Sequence, residues 1–135
     1  MTLKTNKPMW VNLLEDDKAV RAIYDEIPSL KEALLHDVTI KNYGPSIEIR
    51  FDLNEYPKNP PKKWMVSKCN TVQVVIELWK PTSLIIDGLF CESTVDLTMS
   101  SNNGGITLQI DGEFTFSCNA ELVDLKKISA YQNQK

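Results

Sequence analysis

The sequence predicts a mainly β protein of α+β type: a strongly curved antiparallel meander sheet of about seven strands, barrel- or sandwich-like, with an N-terminal amphipathic helix. Three observations predict it. From Ala33 onward apolar residues recur with a period of two, Gly- and Asn-rich turn segments separate the alternating runs, and one earlier stretch has helical spacing instead. With 135 residues and 15.4 kDa, residues 1–135 form a single domain that buries roughly two thirds of its unfolded surface.

Ala19, Val20, Ile23, Tyr24 and Ile27 recur at helical spacing, and Asp16 and Asp17 place negative charge at the positive end of the dipole, which predicts a helix over residues 16–26. "PSLKE" matches a capping box, Ser29 with Glu32, and predicts one further turn. In "SIEIRFDL" Ile47, Ile49, Phe51 and Leu53 face one way and Ser46, Glu48, Arg50 and Asp52 the other, a strand with one wet face. Comparable runs are "TVQVVIELW" at 71–79, "TVDLTM" at 94–99, "ITLQI" at 106–110 and "EFTFSCNA" at 113–120, with weaker ones in "LLHDVTIK" and "SLIID". The turn segments "NYGP" at 42–45, "DG" at 87–88, "SSNNGG" at 100–105 and "DG" at 111–112 supply positive φ and predict antiparallel hairpins.

Between two of these strands lies "DLNEYPKNPPKKW", residues 52–64, the longest predicted loop. Pro57, Pro60 and Pro61 donate no ladder hydrogen bonds and hold their neighbours extended, so the segment reads as a stiff connector. Trp64 is expected to fold back onto the core.

Composition narrows the function classes. Fifteen basic and eighteen acidic residues give a net charge of −3, which speaks against a nucleic-acid partner because phosphate neutralisation needs a basic face. No segment approaches the ~18 apolar residues of a membrane span, and the N-terminus has no apolar stretch or cleavage site of a secretory signal, so a cytoplasmic location is expected. Cys69, Cys91 and Cys118 are scattered and only one histidine accompanies them, so no metal or other cofactor is expected. Cys118 shares a side with Phe114 and Phe116 and reads as a core residue.

No catalytic constellation emerges. His36 and Asp37 are adjacent, and neighbours in a regular strand point to opposite faces. The glycines lack a phosphate-loop context. Asp52 with Glu55, or Asp111 with Glu113, are the paired acids a hydrolase would use, and they read more simply as solvated faces. What stands out is acidic clustering at element edges, suited to steering a basic protein: Glu15, Asp16, Asp17, Asp25, Glu26, Asp52 and Glu55, with Tyr56 as an aromatic anchor.

"MWVNLLEDDKAVRAIYDEIPSLKEALLHDVTIK", then "IEIRFDLNEYPKNPPKKW" with its proline pair before tryptophan, then "NTVQVVIEL", "ITLQIDG" and a C-terminal "ISAY", resembles the immunity protein 50 family of bacterial polymorphic toxin systems over nearly the full chain. The resemblance implies a mostly β, non-enzymatic protein that binds and neutralises a cognate toxin domain by stoichiometric occlusion. It marks Trp10, Pro60, Pro61, Trp64 and Tyr131 as shared scaffold positions. Two rival expectations stand beside it: a β-barrel enclosing a small apolar ligand, and a hydrolase using paired carboxylates.

Overall fold

The computed structural model describes residues 9–41, 45–89 and 91–134. Its eight strands are β1 Ala33–Lys41, β2 Ser46–Asp52, β3 Thr71–Trp79, β4 Ser83–Asp87, β5 Ser93–Asn102, β6 Gly105–Asp111, β7 Thr115–Ala120 and β8 Leu122–Tyr131. All ladder pairings are antiparallel, in the order β4-β7-β6-β5-β1-β2-β3-β8. The mainly β prediction therefore holds, but the sheet is not closed into a barrel. Meander order holds within β1-β2-β3 and β5-β6-β7 only; β4 crosses to pair with β7, and β8 with β3.

The corner is β5. Its first residues, Ser93–Val95, pair with Ala33–Leu35 of β1, whereas Asp96–Asn102 pair with β6. The strand thus joins two four-stranded halves, whose inward residues form one core: Ile47, Ile49 and Phe51 from β2, Val72, Val74, Ile76 and Leu78 from β3, Leu108 and Ile110 from β6, and Phe116 and Cys118 from β7. Cys118 is fully buried, as the alternation predicts, and desolvation pushes its thiol up to about 11.

The predicted helix over 16–26 is not observed as such. A 3-10 turn, Trp10–Leu13, precedes a six-residue helix α1, Lys18–Ile23. Asp16 stands ahead of that helix, its Oδ1 accepting the Lys18 N–H at 3.0 Å. The helix ends early because Tyr24 turns extended, which carries its hydroxyl to donate to the Glu55 carbonyl at 2.7 Å. The turn expected after Ser29 is not helical either: Ser29 Oγ accepts from Lys31 N–H, and the Glu32 N–H goes to Asp96 instead of closing a capping box.

At the β5–β6 hairpin Asn103 and Gly104 both have positive φ, the two-residue turn that "NNGG" predicts. Gly112 is different. It has no positive φ; a Cβ there would lie 2.8 Å from Val95 Cγ1, so glycine is needed for room. Most of the "NYGP" turn lies outside the described residues.

The eighth strand, absent from the sequence prediction, is hidden by a register shift. Val75 pairs with Lys127 and Ile76 with Leu125, so Lys126 is an extra residue that breaks the alternation.

Phe51 sits fully buried at the centre of β2. Phe51→Ala is expected to lower unfolding free energy by about 3–5 kcal/mol in chemical denaturation, against less than about 1 kcal/mol for Ile40→Ala near the exposed end of β1.

Candidate functional site

After β2 the chain runs through the proline loop into a second short helix, α2 Lys62–Val66. Pro61 is extended, and its carbonyl accepts the Trp64 and Met65 N–H groups that begin α2. Trp64 is buried, as expected, and its ring meets Tyr56 with centroids 6.3 Å apart. That contact curls the loop back toward the end of α1. There Tyr24 holds the Glu55 carbonyl, and Asn59 Nδ2 donates to Asp25 Oδ2 at 3.1 Å.

The result is a surface cleft of about 260 Å³ lined by Tyr24, Asp25, Glu26, Glu55, Tyr56, Pro57 and Lys58. Three carboxylates face a single lysine. Tyr56 lines the cleft, but its hydroxyl is buried without a hydrogen-bond partner, and burial raises its pKa. The cleft presents its carboxylates to solvent on an acidic rim.

Four of the predicted contact residues, Asp25, Glu26, Glu55 and Tyr56, are thus brought together by two segments about thirty residues apart in sequence. Glu15, Asp16 and Asp17 do not line the cleft. Glu15 donates its N–H to the Val123 carbonyl, and Asp17 is tied to Arg21 at 2.6 Å, a hydrogen bond that lowers its pKa. Asp52 is 3% exposed and engaged internally.

Asp52 belongs to a second polar cluster, on the outer face of the sheet. Between Leu35 and Asp37 the pairing with β2 shifts by one, leaving His36 as a bulge residue. The bulge overturns the expectation that His36 and Asp37 face opposite ways: Asp37 Oδ2 accepts from Arg50 Nε at 3.0 Å, while His36 lies between Asp52 and Glu92 on that face. His36 Nδ1 is 2.8 Å from Glu92 Oε2. Its Nε2 is 2.9 Å from Asp52 Oδ2 but poorly aligned for a hydrogen bond, so the contact is electrostatic proximity. Tyr131 Oη donates to Asp52 Oδ2, and Gln73 Nε2 donates to Oδ1 at 3.2 Å. Further along, Glu48 is held between Lys126 and Lys41, which lowers its pKa.

These clusters lace four strands together and do not form a reaction cleft. His36 and Asp52 line separate surface cavities, of about 190 and 110 Å³. The carboxylates with shifted pKa values, Asp17 and Glu48, both move down, away from the range of a general acid. Among the described residues no three His, Cys, Asp or Glu side chains converge to hold a metal, and no helix is long and apolar enough to cross a membrane.

The family model described as Immunity protein 50 matches residues 16–131. The chain belongs to the immunity protein 50 family. The matched span takes in both the acidic cleft and the His36–Asp52–Tyr131 cluster, and bears out the resemblance carried by the proline-pair segment. No curated protein and no solved structure matches the chain significantly.

Burial, reinforced by the bond to Asp52, pushes the Tyr131 phenol from its ordinary 10.0 up to about 12. The unfolded chain therefore releases this proton first, and the contribution of Tyr131 is complete below pH 10 and lost as pH rises toward 12. Tyr131→Phe is expected to flatten the fall of stability across that window in pH-dependent denaturation, while costing about 1–3 kcal/mol at neutral pH because Asp52 loses a donor.

Proposed function

We propose that this chain is a non-enzymatic immunity protein that binds a cognate polymorphic-toxin domain one to one in the cytoplasm and neutralises it by occlusion. Family membership supports the class. The acidic cleft carries the reading of where and how: Asp25, Glu26 and Glu55 line one concavity and are exposed to solvent there. A basic side chain of the toxin seated there gains charge-assisted hydrogen bonds, and the net charge of −3 steers its approach.

The rival readings have less support. An open sheet offers no barrel wall around a small ligand, and the acids of the predicted pair Asp52 and Glu55 line different cavities.

The test is co-expression in a bacterial host with the toxin domain encoded beside this chain, scoring growth and then co-purification. Growth rescue with a one-to-one complex is expected; neither rescue nor complex would overturn the reading. Asp25→Lys, Glu26→Lys and Glu55→Lys combined should slow association by about tenfold or more and weaken its salt dependence in stopped-flow binding.

A further inference from the structure

The two edges of the sheet are treated differently. β8 is guarded: Leu14 bridges to Val123, Glu15 donates to the Val123 carbonyl, and Asp124, Lys126 and Lys127 punctuate the strand. Charge and cover of this kind are the usual defence against edge-to-edge pairing. β4 has neither. Among the described residues it is hydrogen-bonded to β7 alone, all five of its residues are exposed, it contains no proline, and its one charge, Asp87, sits at its end.

Its apolar residues lie where the core runs out. Leu84 and Ile86 pair with Cys118 and Phe116, both fully buried, so they share the core face of the sheet, yet they are 36% and 37% exposed. Ile85, on the opposite face beside Ser117, is 66% exposed, and Leu89 just beyond the strand is 89% exposed. The core face reaches the rim, where Leu84 and Ile86 stay partly exposed among the described residues. An occupant must bring an extended strand with apolar residues at a period of two, and must not set a carboxylate against Asp87.

We infer that the occupant is a second copy of this chain, its β4 pairing antiparallel with this one about a two-fold axis at Ile85. In that register Ile85 lies opposite the partner's Ile85 and Leu84 opposite the partner's Ile86, so the two core faces join. Asp87 falls opposite the partner's Ser83, a hydroxyl it accepts from, and Pro81 opposite the partner's Leu89. The only charge between residues 81 and 89 therefore never meets its own copy. The interface is isologous and closes at two. No residue lining the acidic cleft belongs to β4 or β7, so the dimer leaves both clefts open. A strand pair this short falls below the ~1,200 Å² of stable interfaces, so the dimer dissociates in the micromolar range.

Sedimentation velocity of the full chain across about 5 to 500 μM tests this. The expected result is a concentration-dependent rise from 15.4 kDa to twice that mass and no further. Ile85→Lys, at an exposed position, should keep the circular dichroism and melting temperature and remain monomeric throughout. Ile40→Lys, at an exposed position on β1, should dimerise like the parent. A parent chain that stays monomeric at the highest concentration, that grows beyond two copies, or whose association survives Ile85→Lys or is lost with Ile40→Lys, would overturn the inference.

Discussion

The apolar faces of β2 and β3 have to be covered, and neither short helix is large enough to do it. The chain meets this constraint by turning β5 through a corner, so that one half of the sheet covers the other. The hinge is narrow: three residues of β1, Ala33–Leu35, pair with three of β5. Everything else in the architecture follows from that arrangement. It splits the strand order, sends β4 and β8 to opposite edges, and places the His36 bulge directly after the corner pairing.

The outer face of β2 shows a second consequence. Ser46, Glu48, Arg50 and Asp52 all read as solvent-facing by alternation, yet Ser46 and Asp52 are buried and the other two only half-exposed. Long polar side chains from β1, β3 and β8 lie over them, and their hydrogen bonds satisfy the groups they bury. This polar layer is scaffold. The acidic cleft, by contrast, is assembled from two connections, the end of α1 and the proline loop, and presents its carboxylates outward. Prolines in that loop reduce what the chain must lose in conformational freedom to hold the cleft open, and the Tyr56–Trp64 contact anchors it to the core.

Much of this was legible in the alternation. The runs at 46–53, 71–79 and 106–110 became β2, β3 and β6 almost residue for residue, because a strand with one buried face cannot slip register without exposing it. Where bulges intervene the period of two fails, and with it the reading: β8 was hidden behind Lys126, and the shared face of His36 and Asp37 behind the shift at β1. The helix over 16–26 was curtailed by a tertiary bond, Tyr24 to the Glu55 carbonyl, that no local pattern announces. The same bond built the cleft. Acidic clustering singled out Asp25, Glu26 and Glu55, which the fold gathers in one cleft, together with Asp52, which it turns inward, and composition alone gave no way to separate them.

The cleft between α1 and the proline loop is the surface proposed to hold the toxin domain. Hydrogen–deuterium exchange of the chain with and without its cognate toxin domain addresses it most directly. The account predicts slowed exchange over residues 24–26 and 54–59 in the complex, with β8 and the β5–β6 hairpin unchanged. Protection confined to other surfaces, with these two segments exchanging as in the free protein, would contradict it.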